Sequence, residues 1–419
     1  MEKIFVSIAA YRDPELLPTL KNMLETASNP KDLVICIGWQ HSKEDKWDTL
    51  KKYSKDKRFK IIDIDYKDAK GVCWMRSEIQ QHYNGEDYYF QIDSHHRFIE
   101  GWDTVLKDWI NYLRCKGSKK PLLSSYMPGY FPEIDPKDRV HEVWGLNIDR
   151  FMPAGAMFLR PHHMDNWPNL KEPFKTRFIS GHFLFTLGQF VTEVPYDPNL
   201  YFHGEESSLA LRAYTHGYDL YAPHKVIVWH EYDRNGKKRH WDDLEDWKIR
   251  DDASYARIRK IFGMDPGCSS CQRKAALGPN YFGTTRTIED YERYAGFKFS
   301  TRQIHKETME NKLPPIVSDY ESGLTSTFKH CIDIYKGALP ETDYDSFAIA
   351  FLDENGNDIH RQDADENEIY ALLNQNKEDQ FVHIWRSYQD TRKPHSWRVW
   401  PHSKSKGWME RIEEVMKYE

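Results

Sequence analysis

The chain has 419 residues, 39% of them hydrophobic and 14% aromatic, which is enough for a large core and excludes global disorder. Its 59 Lys and Arg stand against 65 Asp and Glu, a net charge of −6 that argues against a nucleic-acid partner while leaving room for a local basic cleft. No stretch reaches the roughly 18 apolar residues of a membrane span.

The start, Met1-Glu2-Lys3 leading straight into a strand, has no signal-peptide pattern, so the expected location is cytoplasmic. Several of the six cysteines sit in apolar segments and read as reduced, buried thiols. Cys268 and Cys271 form a lone CxxC, read as a loop thiol pair, with half a zinc site as the alternative.

In chain order, residues 3–9 predict a first strand. Pro14 opens a helix at its first turn, with Leu16, Leu17, Leu20, Met23 and Leu24 on one stripe. A strand over 33–38, a polar helix over 43–54, a strand over 59–64, a helix over 69–83 and a strand over 87–92 follow. This alternation predicts an α/β fold with a mostly parallel sheet. No G-x-G-x-x-G follows the first strand, so no dinucleotide site is indicated. A helix over 101–114 and a strand over 121–125 come next. Prolines then loosen the pattern to about residue 180, with one strand expected over 152–160. Strand segments over 183–190 and 191–194, a helix over 205–215, a strand over 225–229 and a long helix over 242–262 complete a catalytic domain of residues 1–262.

Residues 263–315 read as a connecting helical region, and 316–419 as a small β-rich accessory domain. Its strands are expected over 347–352, 358–362, 380–386 and 396–400, with a terminal helix over 407–418. Trp385, Tyr388, Trp397 and Trp400 read as filling its core or docking it, with acceptor selection as the alternative.

The chemistry concentrates at strand ends. Tyr88-Tyr89-Phe90-Gln91-Ile92 is an apolar run ending on Asp93-Ser94-His95-His96. Asp93 and His95, two apart, can turn toward one divalent cation at the carboxyl end of a central strand, where open α/β sheets hold ligands; a strand followed by a polar turn would look the same. Ser7, Ala9, Tyr11 and Arg12 end the first strand, where small residues admit a base and ribose; an ordinary βα turn is the alternative. Gly71 precedes Arg76 across a helix start, an arrangement suited to anions, although a lone helix arginine is usually a surface group. Glu205 and Glu206 open another helix after Gly204 and suit a sugar or acceptor hydroxyl, though the helix dipole alone favours them. His230 ends the strand over 225–229. With Asp93 and His95 it gives one oxygen and two nitrogen donors, a set that suits Mn²⁺ or Mg²⁺.

Taken together, these segments resemble the hydroxyproline N-acetylglucosaminyltransferase family and its bacterial relatives. The resemblance rests on Ile4 through Asp13, Gly71 through Arg76, Gln91 through Phe98, Ile179 through Phe185, Val194-Pro195-Tyr196-Asp197-Pro198, Phe202 through Glu206, His216 through Asp219, and Tyr281 through Thr287. It implies a GT-A glycosyltransferase fold, a UDP-sugar donor (UDP-N-acetylglucosamine in the family's eukaryotic members), a divalent metal, and retention of anomeric configuration. The acceptor it implies is a hydroxyl of hydroxyproline or Ser/Thr in a protein, with a glycan acceptor or a non-catalytic carbohydrate-binding protein as alternatives. It assigns Asp93, His95 and His230 to the metal, and Ser7, Ala9, Tyr11 and Arg12 to the uridine pocket. Arg76 and Ser94 fall on the donor side, Glu205 and Glu206 on the sugar and acceptor side, and Gly181 and His182 line the cleft.

Overall fold

A computed structural model of the chain describes residues 2–47, 49–152, 154–265, 267, 270–313, 319–374 and 379–417. They fall into two compact units, Met1–Thr301 with Glu307–Pro314, and Arg302–Lys306 with Pro315–Glu419.

The first unit is built on a twisted eight-stranded sheet. In chain order its elements are β1 (Ile4–Tyr11), α1 (Leu16–Thr26), β2 (Leu33–His41), β3 (Phe59–Asp65), α2 (Val72–Gln80), β4 (Tyr88–Asp93), β5 (His96–Phe98), α3 (Trp102–Cys115), β6 (Pro121–Ser124), β7 (Trp144–Phe151), β8 (Met157–His163), β9 (Phe174–Lys175), β10 (Phe183–Leu187), α4 (Phe190–Glu193), α5 (Glu205–Thr215), β11 (Asp219–Ala222), β12 (Val228–His230), α6 (His240–Asp243), α7 (Trp247–Phe262), α8 (Ser270–Leu277), α9 (Ile288–Ala295) and β13 (Phe297–Lys298). The strand order is β3-β2-β1-β4-β10-β6-β11-β9. β3, β2, β1 and β4 run parallel, as do β6 and β11; β10 is antiparallel to both its neighbours. The expected α/β class with a mostly parallel sheet is present, with β10 and β9 as its antiparallel members.

The continuous apolar character of β1 and β4 has a plain cause. Both faces are covered, so inward and outward residues alike are buried. Val6, Ile8, Phe90, Ile92 and Phe183 share one cluster with Leu20 and Met23 of α1 and Trp102, Leu106 and Ile110 of α3. Each such side chain contributes about 1.5–3 kcal/mol on burial.

Several expected elements are different. Residues 43–47 and 49–54 form turns and irregular chain, not a helix. The segment lacks an apolar stripe, the Ser42 hydroxyl caps the Glu44 amide, and Asp45 is held by Arg12 through two hydrogen bonds of 2.7 and 2.9 Å. The strand expected over 152–160 is the second arm of the β7/β8 hairpin, whose turn closes through Met152 N–H to Ala156 O at 2.7 Å. β10 stops at Leu187, and the next apolar residues form the short helix α4. The long helix over 242–262 is two helices, α6 and α7, because the backbone turns extended at Leu244.

The second unit is β-rich. Its strands are β14 (Gln303–His305), β15 (Leu324–Tyr335), β16 (Tyr344–Leu352), β17 (Asp358–Arg361), β18 (Ala364–Asp365), β19 (Phe381–Asp390), β20 (Ser396–Ser403), β21 (Gly407–Trp408) and β22 (Ile412–Val415). β15 pairs with β14 and β19, while β16 and β20 centre a second sheet. Ile332, Ile334, Val382 and Ile384 of one sheet share a core with Phe347, Ile349, Phe351 and Val399 of the other. Trp397 and Tyr388 lie in that core, whereas Trp385 is 57% exposed. Among the described residues 407–417, the helix expected over 407–418 is absent. Two short strands stand there, because Ile412–Val415 pairs with β20. Cys268 and the Cys271 side chain lie outside the described residues. Among the described residues no helix is long and apolar enough to cross a membrane.

Candidate active site

The carboxyl ends of β1 and β4 open into a cavity of about 530 Å³. β4 ends on Asp93, and the chain turns at once into β5. β5 pairs antiparallel with β12, placing His96 opposite His230. That register carries the last residue of β12 to the tip of β4. The His230 backbone is further pinned by Pro128 O, which accepts its N–H at 2.9 Å.

Asp93, His95 and His230 converge there, each offering one ligand atom within 4.8 Å of the other two. Asp93 Oδ2 lies 3.5 Å from His230 Nε2 and 3.8 Å from His95 Nε2. His230 is buried, yet among the described residues neither of its ring nitrogens has a hydrogen-bond partner. Burial pushes its pKa down to about 4, which keeps the imidazole neutral. Desolvation would raise the Asp93 carboxyl, but His230, Arg76 and His95 hold it well below the usual carboxylate range. An anionic oxygen beside orphaned neutral imidazole nitrogens fits a divalent cation.

A second layer orients these donors. Asp13 is fully enclosed and accepts from the Ser94 hydroxyl at 2.5 Å. Its Oδ2 also stands 2.6 Å from His95 Nδ1, so the His95 Nε2 faces Asp93. A carboxylate on the far nitrogen of a histidine is a common support for a metal ligand. The His182 ring stacks on His230 at 4.1 Å between centroids. His182 itself is fixed through Nε2, which accepts from Met127 N–H at 3.0 Å.

Arg76, Glu205 and Glu206 line the same cavity beside these donors. Arg76, on α2, bonds Asp93 Oδ1 at 2.6 Å and lies 3.2 Å from Glu205 Oε1. Its Nη2 is paired with Asp93, while its buried Nη1 has no hydrogen-bond partner among the described residues. Gly71, just before α2, has φ +107°, and a Cβ there would lie 2.6 Å from Tyr201 O. Glu205 accepts from Tyr196 OH. Glu206 accepts from Gly181 N–H at 2.8 Å and Tyr126 OH at 3.0 Å. Burial pushes the Glu206 carboxyl up to about 7, with help from Glu205, and raises Glu205 as well. A Cβ on Gly181 would come within 3.2 Å of Glu205 Oε2, so the glycine lets the carboxylate pass.

Ala9, Tyr11, Arg76, Asp93, Ser94, His95, Gly181, His182, Glu205, Glu206 and His230 therefore line one cavity. Ser7 and Arg12 do not. Ser7 is fully buried inside the sheet, four residues short of the strand end. Arg12 adopts φ +45°, and its guanidinium turns to Asp45 and Asp243 and covers Tyr66. Residues that the motif reading did not assign include Asp13, Tyr126, Tyr232, Arg234 and Lys238. The basic run Arg234, Lys237, Lys238, Arg239 directly after His230 was the available signal for the last two.

The family model "Glycosyltransferase (GlcNAc)" matches residues 3–58 and 47–301. The chain belongs to this family. The glycosyltransferase expectation is met at that level, while the hydroxyproline-specific subfamily is a finer matter. No curated protein matches at a significant level. Among solved structures, GalNAc-T7 with UDP, GalNAc and Mn²⁺ is similar at 13% identity and a TM-score of 0.48, over 83% of this chain and 65% of that one. TarS residues 1–349 of S. aureus, in complex with UDP-GlcNAc, is similar at 10% identity and a TM-score of 0.40, over 66% and 71%.

Proposed function

We propose that the chain is a GT-A-type, metal-dependent, retaining transferase that moves a sugar, N-acetylglucosamine by family preference, from a UDP-sugar to an acceptor hydroxyl. The observation that carries this reading is the convergence of Asp93, His95 and His230 at the mouth of the cavity, within a chain of the glycosyltransferase (GlcNAc) family.

Asp93, His95 and His230 would hold Mn²⁺ or Mg²⁺, which supplies Lewis-acid neutralisation of the departing diphosphate. Ala9 and Tyr11 form the small, aromatic end of the cavity and are the residues we assign to the base and ribose. Arg234 and Lys238 add positive charge near the diphosphate. Arg76 keeps Asp93 and Glu205 in place. Glu205 and Glu206 orient sugar or acceptor hydroxyls, and Glu206, titrating near neutrality, can hold a proton there. Phe158, Phe202 and Trp241 also line the cavity, and we assign them to the acceptor.

By the motif resemblance, the acceptor is a hydroxyproline or Ser/Thr hydroxyl of a protein. UDP release from a panel of nucleotide sugars, with and without Mn²⁺, tests the donor. Mass spectrometry of peptide and glycan acceptors after incubation tests the acceptor. Release that ignores the cation, or prefers another nucleotide, overturns the reading. Glycan products with no modified peptide replace the protein acceptor by a saccharide.

A further inference from the structure

The unit built on β15 and β19 carries its own convergence of metal-ligating side chains. The two strands pair antiparallel with Asp333 directly opposite His383 and Cys331 opposite Trp385. Cys331 and Asp333 are two residues apart, so they share a face. Ile332, Ile334, Val382 and Ile384 fill the core, which fixes Cys331, Asp333 and His383 on the outer side.

On that face Asp333 Oδ1 is 3.2 Å from Cys331 Sγ and 2.7 Å from His383 Nδ1. One donor atom from each residue lies within 4.8 Å of the other two. The remaining imidazole nitrogen, Nε2, is 3.1 Å from Asp379 Oδ2. This is the arrangement of a metal-ligating histidine whose far nitrogen a carboxylate orients. A surface ion pair between His383 and its two aspartates would need no thiol beside it.

We propose that Cys331, Asp333 and His383 bind one Zn²⁺, with Asp379 orienting His383 and solvent completing the tetrahedron. Thiolate, imidazole and carboxylate together favour Zn²⁺ over the harder Mg²⁺ and Mn²⁺. On binding, the Cys331 thiol gives its proton to solvent as the Zn–S bond forms, and Nδ1 of neutral His383 donates its lone pair. The bound ion clips β15 to β19.

The test uses the full chain with Mg²⁺ in excess to occupy hard-ligand sites. Zn²⁺ is titrated by calorimetry, and Co²⁺ is added as a spectroscopic probe. Zn²⁺ should bind here in addition to any taken up by Asp93, His95 and His230, and Co²⁺ should give a thiolate charge-transfer band, which that thiol-free set cannot produce. Cys331→Ser should abolish the band, His383→Ala should weaken Zn²⁺ at least tenfold, and Asp379→Asn should weaken it about tenfold. The double variant Cys268→Ser/Cys271→Ser should keep the band. In the unaltered chain, Zn²⁺ should slow alkylation of Cys331, read by peptide mass spectrometry; this readout needs no variant to fold. A band that survives Cys331→Ser, or alkylation of Cys331 that Zn²⁺ does not slow, overturns the proposal.

Discussion

Asp13 Oδ2 and His95 Nδ1 stand 2.6 Å apart, which leaves the opposite nitrogen of His95 aimed at Asp93. The carboxylate also takes the Ser94 hydroxyl and lies 3.3 Å from Arg234. Desolvation works against its ionisation, but His95, Arg234 and Ser94 outweigh it and hold its pKa far below the ordinary carboxylate value. Asp13→Asn should therefore weaken Mn²⁺ binding by about 10–100-fold without unfolding the unit. Electron paramagnetic resonance of free Mn²⁺ measures the affinity. Activity lost at low Mn²⁺ should return at high Mn²⁺. An unchanged affinity would sink this role for Asp13.

Asp93→Ala, His95→Ala and His230→Ala should each abolish cation-dependent UDP release while far-ultraviolet circular dichroism stays unchanged. Removing a ligand withdraws several kcal/mol of leaving-group stabilisation. A His230→Ala variant with near-normal turnover at low Mn²⁺ would remove it from the metal set.

Glu206 should give the pH profile an inflection near 7. Its carboxyl is raised from an ordinary 4.5 by burial, so it gains a proton well above the usual range. Gln mimics the protonated form, and Glu206→Gln should erase the inflection and behave above neutrality as the parent does below it. Stability follows the same linkage. The folded chain binds this proton more tightly than the unfolded chain, so the contribution is complete below about 4.5 and is lost as pH rises through about 7. Thermal melts of parent and variant across that window check the sign.

Gly71→Ala should lower stability by about 1–3 kcal/mol and reduce turnover. The residue needs φ +107°, and the added carbon would meet Tyr201 O. The strain falls at the start of α2, the helix that carries Arg76. A variant with the parent's melting temperature would contradict the steric argument.

The strand cores were readable because two covered faces write an unbroken apolar run, as in Ile4–Tyr11 and Tyr88–Asp93. The metal-competent donors were readable for a related reason, since they stand where those runs stop. Ser7 shows the limit of strand periodicity. It shares a face with Ala9 and Tyr11, but only the last residues of a strand reach the cavity. Arg12 was misread because its left-handed backbone turns the guanidinium away, and neighbouring residue types do not disclose that. Asp13 stands just before the helix-opening Pro14, and only the fold reveals the histidine against it. Ile412–Val415 has the local composition of a helix end, yet its pairing with β20, a contact distant in sequence, makes it a strand.

The ribbon of β5 and β12 gives a bound cation a second kind of meaning. His230 joins Asp93 and His95 only when two segments far apart in the chain have found each other. A cation captured there is a stitch sewn across most of the unit, and mass action makes its concentration a dial on the unit's persistence. Starved of the ion, the protein should lose resistance to heat and to proteases along with its chemistry.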